Sequence, residues 1–244
     1  MRILLLFLIH SISLVSFSQN IIISGSIGYN TNISDPIFIN SYDEKNYPEN
    51  HRNSFAKGYS IGLDLAYSFN QNCDLFFSYY YLMGNSYSYR SNGGNGFMID
   101  NNFTGEQTLL VPGIKYKISG SNINEYFKIG PSIGFNTINR DYKVVNINSL
   151  KAEITYEKKT TIGLFYGFGI DYNYSERLVM FCEVNGSNHI YSPDKLKVRY
   201  NDIGQEEYNL IDNYDKKTGK NMLKNDFSFN YIGFNLGLRV NINN

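Results

Sequence analysis

Residues 58–69 read Gly58-Tyr59-Ser60-Ile61-Gly62-Leu63-Asp64-Leu65-Ala66-Tyr67-Ser68-Phe69. In an extended chain successive side chains point to opposite faces. One face of this segment therefore carries Tyr59, Ile61, Leu63, Leu65, Tyr67 and Phe69, and the other carries glycine, serine, alanine and one acid. A strand face that meets water usually carries Lys, Glu and Thr. Bulky apolar residues backed by small polar ones fit hydrocarbon outside and the inside of a narrow closed barrel.

The same alternation marks seven further segments. The first runs over about 20–30, with Ile21, Ile23, Ile27 and Tyr29 outward and Ser24, Ser26 and Gly28 inward. Others cover about 73–83, 106–118, 126–136, 161–173, 177–186 and 230–242. In two of them, Phe76 and Phe181 fall on the inward face. Pro112 and Pro131 lie inside strands, where the missing N–H argues for a bulge or a local break in the ladder. Between the eight segments the connections alternate. Those at about 31–57, 84–105, 137–160 and 187–229 are long, and those at about 70–72, 119–125 and 174–176 are short. Membrane barrels have short periplasmic turns and long extracellular loops, and an even strand count places both termini in the periplasm. The expected fold is all-β: an eight-stranded antiparallel up-and-down transmembrane barrel. Its long loops are extended in part: Ser86 to Tyr89 continue the parity of the third strand, Val144 to Tyr156 alternate around Asn-Ser, and Lys197 to Leu210 read as a hairpin around Asn201-Asp202-Ile203-Gly204.

Residues 1–18 read as a cleaved signal peptide, with Arg2 at its head, an apolar run from Ile3 to Ile9, and Ser16-Phe17-Ser18 before the cut. The barrel domain is expected over 19–244. Export without a helical anchor leaves the periplasm, the outer membrane or the exterior, and the strand faces choose the outer membrane. The 244 residues carry no net charge, so nothing points to nucleic acid as a partner. Outer-membrane lipid is the expected surround, and a monomeric barrel the expected assembly. The two cysteines, Cys73 and Cys182, fall on distant strands and form no disulfide framework.

Eight ionisable residues fall on inward positions: Asp64, Asp74, Lys115, Lys117, Lys128, Asp171, Glu183 and Arg239. Four are acids and four are bases, and most lie near the periplasmic ends of their strands. An eight-stranded barrel is just wide enough for side chains to fill, and buried charges must pair. These residues are expected to form a polar plug, with Glu183 and Arg239, on neighbouring strands, as its leading pair.

Chemistry is sparsely signalled. His10 leaves with the signal peptide, and His51 and His189 fall in long loops, where histidine is usually solvated. Neither stands in a catalytic spacing. Glu206, Glu207, Asp212 and Asp215 do not match a calcium loop. The chain is therefore expected to be no enzyme, with no catalytic residue, no metal site and no cofactor. Loop tyrosines Tyr42, Tyr47, Tyr191, Tyr200, Tyr208 and Tyr214 are candidate contacts for a partner, because tyrosine joins large area to a polar tip.

Gly130-Pro131-Ser132-Ile133-Gly134-Phe135 and Gly233-Phe234-Asn235-Leu236-Gly237-Leu238-Arg239-Val240 resemble strands of the small OmpA/OmpX-like outer-membrane barrels, especially their PorT-like branch. The resemblance spans about 19–244 and identifies an architecture rather than an activity. It leads to a structural or surface-interaction role through the extracellular loops, toward envelope or extracellular proteins. The PorT-like branch implies an alternative, an accessory component of a secretion or envelope-assembly machine. Small-solute transport, a lipid-modifying barrel enzyme, and a soluble ligand-binding barrel are further readings. A filled polar lumen disfavours the first and the last.

Overall fold

The computed structural model describes residues 21–33, 55–92, 98–118, 120, 122–145, 151–156, 160–175, 177–200, 204–211, 221–223 and 227–242. The signal-peptide segment, His51, Tyr42, Tyr47, Asp212, Tyr214 and Asp215 lie outside the described residues.

Eight strands form the wall: β1 (Ile21–Asn32), β2 (Gly58–Ser68), β3 (Cys73–Gly84), β4 (Met98–Ile118), β5 (Ile123–Val144), β6 (Thr160–Asn173), β7 (Leu178–Asn188) and β8 (Tyr231–Ile242). Each pairs antiparallel with the next, and β1 pairs with both β2 and β8, so the sheet closes. The register from Ile21 passes through Tyr67, Leu75, Ile114, Ile129, Tyr166, Gly186 and Ile232, and returns to Thr31. One circuit thus climbs ten residues, from 21 to 31. A stagger of this kind tilts the strands and fixes the bore.

Period-two alternation decides what faces where. Ile27, Leu63, Leu75, Phe127, Phe168, Leu236 and their outward neighbours leave a continuous apolar wall exposed. An apolar surface of this extent is foreign to soluble monomers, and a membrane span requires it. Tyr29 and Tyr59 touch edge to face at 5.3 Å at the long-loop rim of this belt, where amphipathic rings anchor a barrel. Cys73 and Cys182 are free thiols.

Pro112 and Pro131 stand opposite each other. The β4–β5 ladder holds up to Leu110↔Ile133 and resumes at Ile114↔Ile129 in the same register. The outcome is a local break with no bulge. Both residues of this rung lack an N–H, so the two missing donors fall on one rung and the ladder on either side stays intact. Each keeps its place in the register on the other side, Pro112 with Phe77 and Pro131 with Leu164.

Beyond the belt the long connections extend the same sheet. Tyr87–Asn92 pairs with the upper part of β4. Lys151–Tyr156 pairs with the upper part of β5, then Lys195–Tyr200, Gly204–Ile211 and Asn221–Leu223 follow in turn. The expected hairpin around 201–204 is one of these pairs. A short ladder, Ile190–Tyr191 with Phe227–Ser228, crosses at the mouth of the barrel.

Candidate functional site

The lumen is the place where chemistry-bearing side chains converge, and all eight ionisable residues on its inward positions are placed there. Asp64, Asp74, Lys115, Lys128, Asp171, Glu183 and Arg239 are buried, and the Lys117 side chain keeps 17% exposure. They form two tiers.

In the tier nearer the short turns, Asp171 on β6 accepts hydrogen bonds at Oδ2 from Lys115 Nζ on β4, at 3.0 Å, and from the Arg239 guanidinium on β8. Arg239 Nε also donates to Ser24 Oγ at 3.1 Å. Lys117 Nζ donates to Asp74 Oδ1 at 2.7 Å, and Ser68 Oγ donates to the same oxygen. In the deeper tier, Lys128 Nζ bridges Asp64 at 2.7 Å and Glu183 at 3.0 Å. Glu183 accepts further hydrogen bonds from the Tyr126 and Tyr80 hydroxyls and from Asn185 Nδ2. The Tyr126 ring lies under Lys115 Nζ, 3.9 Å from its centroid.

The expected Glu183–Arg239 pair does not form. Across the β7–β8 ladder Arg239 stands opposite Val179, and Glu183 opposite Asn235. Four residues separate the two levels, about 13 Å along a strand. Each finds its partner across the bore instead: Arg239 meets Asp171 of β6, and Glu183 meets Lys128 of β5.

Above the ionic tiers lies His189. It is buried, against its reading as a solvated loop residue. Its ring nitrogens reach Ser132 Oγ and Thr161 Oγ1, each at 2.8 Å. Its backbone N–H donates to Asn230 Oδ1 and its carbonyl accepts from Phe229 N–H. Glycine makes room for the ring: a Cβ on Gly134 would come 3.0 Å from Nδ1, and one on Gly163 2.8 Å from Nε2. The signal was present in the sequence, because Phe181, Glu183, Asn185, Ser187, His189 and Tyr191 continue one parity past the end of β7.

The extracellular mouth is closed by aromatic rings. Phe55, Phe103, Tyr156, Tyr191, Phe227 and Phe229 are buried in one cluster with Leu109, Ile138, Leu196 and Val198. Phe55 sits 5.6 Å from Phe227 and 5.9 Å from Phe229, ring to ring. Gly105 leaves the space for it, since a Cβ there would lie 2.6 Å from that of Phe55. Two of the tyrosines expected as partner contacts belong to this core. Tyr191 is fully buried, because it follows the inward parity of β7, and Tyr200 packs against the cluster from the inner face of the extracellular sheet. Tyr208 lies on Gly204–Ile211, and its side chain is outside the described residues.

The outer face of the extracellular sheet is polar. Arg90 holds Asp100 through Nε and Nη2, at 2.6 and 3.2 Å, and that hydrogen-bonded guanidinium lowers the Asp100 pKa below the usual carboxylate range. Lys195 and Glu207 pair at 2.7 Å. Among the described residues no group of three His, Cys, Asp or Glu side chains could hold a metal ion.

No family model matches the chain, and no curated protein is similar to it by sequence. Its structure is similar to a major outer membrane protein from Thermus thermophilus, with a TM-score of 0.57 and 9% identity over 92% of this chain and 100% of the other. It is also similar to the outer membrane protein OprG from Pseudomonas aeruginosa, with a TM-score of 0.51 and 14% identity over 93% and 97%. At these identities the likeness is one of fold: a small closed antiparallel barrel of the outer-membrane type.

Proposed function

We propose that this chain is a non-enzymatic outer-membrane barrel that works through its extracellular sheet, with a lumen closed to solutes. The observation that carries the reading is closure at two levels: ion pairs fill the bore near the short turns and aromatic rings fill its mouth. Such a filling disfavours transport. The hydrogen-bonded chain Ser132–His189–Thr161 has the look of a nucleophile and base, but a buried serine beneath the aromatic cluster meets no substrate, which argues against a lipid-modifying enzyme.

The extracellular sheet offers the interaction surface. Among the described residues, Tyr87–Asn92 and Asn221–Leu223 each pair on one side only. Such edges accept an added strand. This also favours a second reading, an accessory component of a secretion or envelope-assembly machine of the PorT-like kind. Removing residues 201–223 tests the role of the sheet. The trimmed barrel is expected to keep heat-modifiable gel migration and to lose co-purifying envelope or extracellular proteins. Stepwise conductance of the intact barrel in planar bilayers would overturn the closed lumen.

A further inference from the structure

At the short-turn end, the lumen widens into a cavity of about 120 Å³ lined by Ser68, Asp74, Lys115, Lys117, Asp171 and Arg239, with asparagines around them. That is room for about four waters at about 30 Å³ each. Three cations face two carboxylates there. The balancing negative charge lies deeper, where Lys128 bridges both Asp64 and Glu183. The mouth is therefore positive and the bore behind it negative.

Both carboxylates at the cavity are half used. Asp171 receives Lys115 and Arg239 on Oδ2, and its buried Oδ1 has no hydrogen-bond partner. Asp74 receives Lys117 and Ser68 on Oδ1, and its buried Oδ2 has none. An unmet buried acceptor is costly and calls for a donor. The three cations call for an acceptor with negative charge. One small group supplies both: an oxyanion that still carries a proton.

We propose that this cavity is a periplasm-facing site for a protonated phosphate group. Its anionic oxygens meet Lys115, Lys117 and Arg239, and its P–O–H donates to the free oxygen of Asp171 or Asp74. The same carboxylates reject sulfate, which has no proton to give at neutral pH and would set oxygen against oxygen. The cavity size favours free inorganic phosphate, and so does the proton: a phosphomonoester loses its last one near a pKa of about 6 and at neutral pH is, like sulfate, mostly without one to give.

The test uses the refolded full-length barrel in detergent, titrated calorimetrically with inorganic phosphate, glycerol 3-phosphate and sulfate at matched ionic strength. Phosphate is expected to bind at least about tenfold more tightly than sulfate, the scale of one charge-assisted hydrogen bond. Glycerol 3-phosphate, mostly without that proton at neutral pH, is expected to bind more weakly than phosphate, and tighter binding would overturn the site. Equal binding of phosphate and sulfate, or no heat beyond that of chloride, would overturn it. Asn173, which also lines the cavity, gives a second variant. Asn173→Asp adds a rim carboxylate without touching an ion pair and is expected to weaken phosphate by about tenfold with unchanged heat-modifiable migration. Unchanged affinity in that variant would also overturn the site.

Discussion

The two ends of this lumen are filled by opposite means. Near the short turns, five ion pairs and their hydroxyl partners occupy the bore. At the extracellular mouth the filling is almost all ring and aliphatic carbon, Phe55, Phe103, Phe227 and Phe229 among them. The ionic end lies within the apolar belt, where every wall residue already has hydrocarbon behind it and the interior must satisfy itself. The aromatic end rises above the belt among loop-borne strands whose outer face is polar, and there burial of carbon is the driving force, as in a soluble core. The difference teaches that one continuous wall can carry two cores, each suited to the solvent around it.

Breaking the ionic end should have the largest effect. Lys128→Met leaves Asp64 and Glu183 without their shared cation, and is expected to destabilise the barrel by about 3–5 kcal/mol in denaturant unfolding of the refolded protein. Arg239→Met should follow closely, since Asp171 retains Lys115. The aromatic end should break locally. Phe229→Ala is expected to loosen the cap by about 3 kcal/mol, read as faster proteolysis of the extracellular segments while the barrel keeps its heat-modifiable migration. If the barrel itself unfolds in that variant, the two cores are one cooperative unit. His189 joins the two ends by tying the cap to β5 and β6. His189→Ala should cost about 2 kcal/mol through the stranded Ser132 and Thr161 hydroxyls and lost packing, seen as intermediate cap protection in hydrogen exchange.

The smallest effect belongs to the exposed pair on the extracellular sheet. Asp100 should titrate below an ordinary aspartate by carboxyl NMR, and Arg90→Gln should raise its midpoint. Because the folded pKa is depressed, its contribution is present above the unfolded pKa and fades as pH falls through the folded one. Solvent screening should make any change in unfolding midpoint too small to measure. A measurable fall of the unfolding midpoint in Arg90→Gln at neutral pH would show that this surface pair matters more than its exposure allows.

Much of the wall is legible in sequence because period two leaves few choices. Leu63 outward and Asp64 inward, Phe168 outward and Asp171 inward, follow from one count along the strand. The prolines announce a break, and only the register shows them facing each other. His189 and Tyr191 escape a loop reading because the alternation runs on past residue 186 into the cap. Tyr200 escapes it for another reason: a hairpin drawn from sequence has two faces, and nothing in the chain says which one meets a core.

By itself, the sequence determined that this chain closes into a narrow barrel with hydrocarbon outside and ions within, because alternation, glycine placement and loop length are local properties. The tertiary structure alone decided which acid meets which base. Asp171 with Arg239 and Lys115, and Asp64 with Lys128, meet across the bore from non-adjacent strands. The ten-residue stagger that sets their heights belongs to the closed ring and to no single strand.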